Sequence, residues 1–207
     1  MPTVLAITSE KGGVGKSTLA IHLAGALTER GLQVVLIDED GRVGSSLRWA
    51  ARATQRGVPL PFPVLAAGDV KPKRLTSLDV VLIDTEGRPK RKDLRALAVQ
   101  ADLMLIPSGP GALELDAARS LLDYLDDEVS AARRARVVLT RVPAQGKTGE
   151  EAREDLRDSG VTVCNTLIRN FVAYQRAAEL ATLARDVRDP RAAPAWKDIL
   201  ALSKELI

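Results

Sequence analysis

Seven short apolar runs recur along the chain, at 3–8 (TVLAIT), 33–38 (QVVLID), 62–67 (FPVLAA), 79–85 (DVVLIDT), 102–107 (DLMLIP), 136–142 (RVVLTRV) and 161–168 (VTVCNTLI). Most are apolar on consecutive positions instead of alternating ones, the pattern of strands covered on both faces. Between them, apolar positions at helical spacing predict helices near 16–30, 44–56, 90–100, 113–128, 147–159, 170–185 and 192–206. Gly31 and Gly160 follow the first and fifth of these, where a helix C-cap commonly needs a positive φ. Alternating strands and helices of this kind build a mostly parallel central sheet flanked by helices. The proline-rich connection GVPLPFP at 57–63 is too short to separate domains. The expectation is an α/β fold with one domain over residues 1–207.

Composition narrows the setting. Hydrophobic residues at 45% and charged residues at 28% describe a globular chain, and aromatics at 3% leave the interior to aliphatic packing. Thirty Lys+Arg against twenty-seven Asp+Glu give +3, which permits a polyanionic partner without demanding one. The lone cysteine, Cys164, excludes an internal disulfide and a C-x-x-C redox or metal site, which fits a reducing cytoplasm. No apolar run reaches spanning length, and residues 1–8 lack the basic start and long apolar core of a signal peptide.

The candidate chemistry begins at TSEKGGVGKST, residues 8–18. It follows a strand and opens a helix, so backbone N–H groups and the helix N-terminus converge where phosphate oxygens bind. Gly12, Gly13 and Gly15 let the backbone of this loop, Val14 included, approach the ligand; Lys16 reaches the β/γ-phosphates and Ser17 coordinates magnesium. The usual first glycine of a phosphate loop is replaced by Glu10, and a second lysine, Lys11, stands beside it. Asp38 and Asp84 end two other strands, and in open α/β sheets ligands bind outside the carboxyl ends of the strands. Asp84, after VVLI, suits a magnesium-associated carboxylate, and Asp40, two residues past Asp38, suits orientation of an attacking water.

Taken together, KGGVGKST at 11–18, LIDEDGRVGSSLRWA at 36–50, DVVLIDTEG at 79–87 and ADLMLIPSGPGALELDAA at 101–118 resemble the ParA/MinD family of deviant Walker ATPases, most closely the short ParA-type partition ATPases. The resemblance implies a phosphate-loop NTPase of ATP with magnesium. It implies that Lys11 crosses to the nucleotide of a second subunit in an ATP-dependent homodimer and stabilises charge there, as an arginine finger does. It further implies that Asp40 is the hydrolytic aspartate, that Asp38 and Asp84 support metal and water, that Ser17 holds the metal and that Thr18 meets the α-phosphate. Where the family has D-x-D-P-Q this chain has Asp38-Glu39-Asp40-Gly41-Arg42, and its D-T-P becomes Asp84-Thr85-Glu86. Thr140 stands where many relatives place the asparagine that reads adenine; a hydroxyl makes fewer bonds than an amide, which leaves base recognition to backbone groups.

The implied cycle is an ATP-gated dimer that drives plasmid or chromosome partition on nonspecific DNA, released when a ParB-like partner stimulates hydrolysis. It would be cytoplasmic and nucleoid-associated when ATP-bound. Arg169, Arg176, Arg185 and Arg188, with Arg191 beyond, are candidate phosphate contacts, and RPKRK at 88–92 is a second cluster. The alternatives are another large cargo or a MinD-like membrane helix at APAWKDILALSKELI; there the charges cancel, so this helix is expected to pack on the protein's own body and no membrane partner is expected.

Overall fold

The computed structural model describes residues 1–129 and 134–207. Six parallel strands form one sheet: β1 (Thr3–Ile7), β2 (Val34–Asp38), β3 (Val64–Ala66), β4 (Val80–Asp84), β5 (Leu103–Ser108) and β6 (Ala135–Leu139), in the order β3-β2-β4-β1-β5-β6. The helices are α1 (Lys16–Glu29), α2 (Ser45–Gln55), the single turn α3 (Pro72–Leu75), α4 (Arg91–Gln100), α5 (Ala112–Val129), α6 (Thr148–Asp158), α7 (Val172–Leu180) and α8 (Ala192–Leu206).

The consecutive apolar positions of the strands serve two cores. Leu5 and Ile7 of β1 face the layer of α1, α2, α7 and α8, whereas Ala6 between them joins Leu94, Leu121 and Leu156 on the other side, with α4, α5 and α6. Both faces are therefore covered, which is why these strands lack polar alternation. Gly31 at φ 88 and Gly160 at φ 77 follow α1 and α6, as expected of left-handed C-terminal turns. Gly25, inside α1, has a packing reason: a Cβ there would lie 2.7 Å from Leu183 Cδ1.

The structure corrects two expected elements. Residues 161–168 do not form a seventh strand. Only isolated parallel bridges, Val137 with Val163 and Val142 with Arg169, connect this stretch to the region of β6. The amides of Asn165 and Thr166 donate instead to the Glu205 carboxylate on α8, so their N–H groups are lost to the ladder. The helix expected over 170–185 runs only from Val172 to Leu180. Ala181 then turns left-handed at φ 55, and Thr182 N donates to Ala177 O, closing a C-terminal motif that redirects the chain toward α1. The apolar face of α8 packs inward as expected, with Trp196, Ile199 and Leu202 buried in the α1-side core.

Candidate functional site

The site forms at the carboxyl ends of β1, β2 and β4. Register pairs Ile7 with Asp84 and Asp84 with Asp38, so Asp84 stands beside the strand that feeds the glycine-rich loop and Asp38 stands one strand further on. Gly13 at φ 77 and Gly15 at φ 90 occupy backbone conformations that side chains disfavour, and they turn the loop into α1. Val14 between them is buried and anchors the loop.

Lys16 is 8% exposed, and its Nζ donates to Gly87 O at 3.5 Å. Burial lowers its pKa, while the nearby Asp84 and Asp40 charges favour its protonated form. Asp84 is 2% exposed, and burial pushes its carboxyl up to about 6 against the lowering effect of the Ser17 and Ser46 hydroxyls. Ser46 Oγ donates to Asp84 Oδ2 at 2.7 Å, and Asp84 Oδ1 is buried with no hydrogen-bond partner among the described residues. Asp38 accepts from Asp40 N at 3.0 Å on Oδ1 and from Leu47 N at 3.0 Å on Oδ2, so it holds both the catalytic-loop candidate and the first turn of α2. Asp40 Oδ1 accepts from Arg42 N and Val43 N at 3.1 and 2.8 Å, which folds its loop and leaves Oδ2 without a bond to any described residue.

Lys11 extends along its own chain, and its Nζ donates to Leu113 O at 2.7 Å at the start of α5. Thr140 is buried; its Oγ1 donates to Val14 O at 3.0 Å and lies 3.3 Å from Ser108 O. The hydroxyl proton is thus engaged with the loop, and what Thr140 presents to a ligand is acceptor capacity only.

Beside the loop lies a cavity of about 250 Å³ lined by Gly15, Thr18, Thr140, Asn170, Tyr174 and Gln175 among others. Of its polar side chains, Tyr174 donates to Ala195 O, Gln175 to Glu179 and Arg141 to Glu114. The Asn170 amide keeps both donor and acceptor uncommitted among the described residues, a candidate the sequence did not single out. Behind this wall His22, fully buried, bridges Thr18 O (2.7 Å) through Nδ1 and Ala184 N (3.0 Å) through Nε2, within rings from Trp49, Tyr174 and Trp196. Nε2 accepts from an amide, so Nδ1 carries the proton and the ring is neutral. Burial pushes its pKa down to about 4.

Of the C-terminal arginines, Arg169 lines this cavity, and most of the group are paired. Arg169 forms a two-pronged bond to Asp198 at 2.9 and 2.6 Å, Arg176 pairs with Asp189 at 2.7 Å and Arg185 pairs with Glu29. Arg188 is exposed and unpaired among the described residues. In the 88–92 cluster, Arg91 stacks on Tyr124 at 4.7 Å. No helix among the described residues is long and apolar enough to cross a membrane.

Known proteins resemble this chain over most of its length. A carboxysome distribution maintenance protein A from Gloeobacter kilaueensis is 32% identical over 99% of this chain and 94% of its own length. Protein ParA of Rhizobium radiobacter is 30% identical over 84% of this chain and 81% of its own. The crystal structure of the Pyrococcus furiosus cell division ATPase MinD superposes with a TM-score of 0.76 at 19% identity, covering 100% of this chain and 98% of that one, a likeness of fold. The model of the CobQ/CobB/MinD/ParA nucleotide-binding domain matches residues 5–182. Its span takes in the phosphate loop, both strand-end aspartates and the cavity wall through α7; the chain belongs to the CobQ/CobB/MinD/ParA nucleotide-binding domain family.

Proposed function

We propose that this chain hydrolyses ATP with magnesium, dimerises when ATP is bound, holds nonspecific DNA as the dimer and thereby partitions a plasmid or chromosome. The observation that supports it is the convergence of Lys16 and Ser17, at the start of α1, with Asp38 and Asp84 at adjoining strand ends, while Lys11 is held apart from that set.

Among the described residues no group of three His, Cys, Asp or Glu side chains gathers to cage a metal. Magnesium does not need one: it is commonly held by one or two carboxylates, a hydroxyl, water and substrate phosphates. The unpartnered, buried Asp84 Oδ1 beside the Ser17 hydroxyl fits that donor set. Ser17 and Asp84 would hold magnesium, which would offset the charge of the nucleotide phosphates. In this reading the loop amides, Lys16 and the α1 N-terminus hold the phosphates, Thr18 meets the α-phosphate, and Asp40, through its free Oδ2, orients the attacking water. Lys11 releases Leu113 O and crosses to the partner's nucleotide, where its charge stabilises the transition state. A ParB-like partner would accelerate that step.

The test has three parts. Asp40→Ala should keep ATP affinity and accumulate dimer while losing turnover; turnover at the parent rate removes the water-orienting role. Lys11→Ala should lose ATP-dependent dimerisation in sedimentation, and an unchanged dimer would remove the crossing role. Cosedimentation with DNA and with liposomes, in ADP and in ATP, separates the cargo surfaces. The MinD-like membrane alternative is disfavoured because the apolar face of α8 is already committed to the core. A second reading, the positioning of another large cargo by the same dimer, is favoured by the near-full-length likeness to the carboxysome distribution protein.

A further inference from the structure

Residues 41–68 contain four arginines, Arg42, Arg48, Arg52 and Arg56, and no aspartate, glutamate or lysine. This stretch carries +4 in a chain whose net charge is +3, so the remainder sums to −1. Arg48, Arg52 and Arg56 recur every four residues along α2 and its C-cap, all exposed, while Ser46, Trp49 and Ala53 turn inward. At 1.5 Å per residue they are spaced about 6 Å apart and span about 12 Å.

No carboxylate among the described residues pairs with them, in contrast to the C-terminal arginines paired with Asp198, Asp189 and Glu29. Arg48 and Arg56 make no side-chain hydrogen bond or ion pair with any described residue. Arg52 donates to the backbone carbonyls of Ala178 and Glu179 at 3.5 and 2.5 Å, which fixes its guanidinium against α7 without a carboxylate to neutralise it. The other exposed positions of α2 are Ser45, Ala51, Thr54 and Gln55, so the helix offers no long apolar side chain for a lipid surface, and Val43 and Val58 flank it singly. A row of fixed cations without apolar wedges is complementary to a phosphodiester backbone.

We infer that the outer face of α2 is the surface this protein lays against nucleic-acid phosphates, with Arg48 and Arg56 as contacts on either side of the anchored Arg52. The inference rests on the DNA-binding reading above and moves its principal contacts from the C-terminal arginines to α2. It also gives that surface a connection to the nucleotide site, because the first turn of α2 is bonded to both strand-end aspartates, Leu47 N to Asp38 Oδ2 and Ser46 Oγ to Asp84 Oδ2.

The experiment is a salt titration of binding to a random-sequence DNA duplex in Mg-ATP, by fluorescence anisotropy. It compares the parent, an Arg48→Ala/Arg56→Ala double variant and an Arg176→Ala/Arg188→Ala double variant, with phosphatidylglycerol vesicles as a separate arm. Equal thermal midpoints for the three proteins establish that the fold is intact. The α2 variant should bind about tenfold or more weakly near 0.1 M salt, and its log–log salt slope should fall by about 2. Parent-like affinity and slope in the α2 variant, with loss in the Arg176/Arg188 variant, would overturn the α2 surface and leave the DNA-binding reading standing. A parent that ignores the duplex at every salt concentration, whether or not it binds vesicles, would overturn both.

Discussion

Ser46 Oγ donates to Asp84 Oδ2 at 2.7 Å, joining two buried groups 38 positions apart and fastening the first turn of α2 to the end of β4. The bond favours the ionised carboxylate, while burial opposes it and holds the carboxyl up at about 6. In Ser46→Ala that donor is gone, so the Asp84 midpoint should rise by about one pH unit. Carboxyl-carbon NMR of the nucleotide-free protein reads this directly, and a midpoint unmoved by the substitution would show that the hydroxyl does not act on the charge.

Asp84 should also cost stability at neutral pH. Its folded pKa, about 6, lies above the ordinary 3.8, so its contribution is full below pH 3.8 and is lost as pH rises through 6. Asp84→Asn removes the ionisation, and without nucleotide or metal it should stabilise the fold at pH 7 by up to about 3 kcal/mol. The gain should vanish near pH 4, where the parent carboxyl is itself neutral. Thermal unfolding of both proteins across that range checks the sign; a variant less stable than the parent at pH 7 contradicts it.

Thr140 holds the phosphate loop through Val14 O at 3.0 Å. In Thr140→Val the buried carbonyl loses its donor, at a cost of about 1–3 kcal/mol, and ATP and ADP affinity should fall together because the loop is common to both. Thr140→Ser should restore binding. Titration with fluorescent ATP and ADP analogues measures this, and a valine variant that binds as the parent does would dismiss the tether.

His22 acts in the opposite pH direction to Asp84. Its folded pKa, about 4, lies below the ordinary 6.5, so the stability tied to its neutral form is present above pH 6.5 and is lost as pH falls through 4. Between those limits the loss should reach about 3 kcal/mol. Urea unfolding of the parent and of His22→Gln at pH 7 and pH 4.5 isolates it, since the amide cannot titrate. The variant should be the less stable protein at pH 7 and close most of the gap at pH 4.5; a constant gap would mean the ring is not the titrating group.

The elements nearest the nucleotide were legible because their signals are local. The phosphate loop announces itself by glycine placement and the lysine that follows, and strand-end aspartates by their position after apolar runs. The stretch 161–168 misled for a physical reason: its residues are apolar enough for a strand, but the N–H groups of Asn165 and Thr166 go to Glu205 about forty positions later. The helix expected over 170–185 failed similarly, since only the left-handed turn at Ala181 lets Ala184 N reach the His22 ring.

The sequence by itself determined the strand-to-helix phosphate loop, the strand-end carboxylates and the doubly covered sheet, all properties of neighbouring residues and their spacing. Only the tertiary structure decided which charges remain available. Arg169 and Arg176 look as free in sequence as Arg48 and Arg56, yet Asp198 and Asp189 cancel the first pair and no described residue cancels the second. The same holds for hydroxyls: Thr140 and Ser46 are ordinary positions until folding brings Val14 O and Asp84 within hydrogen-bond distance. A side chain's chemistry is written in its residue type, but its remaining capacity depends on partners supplied by distant parts of the chain.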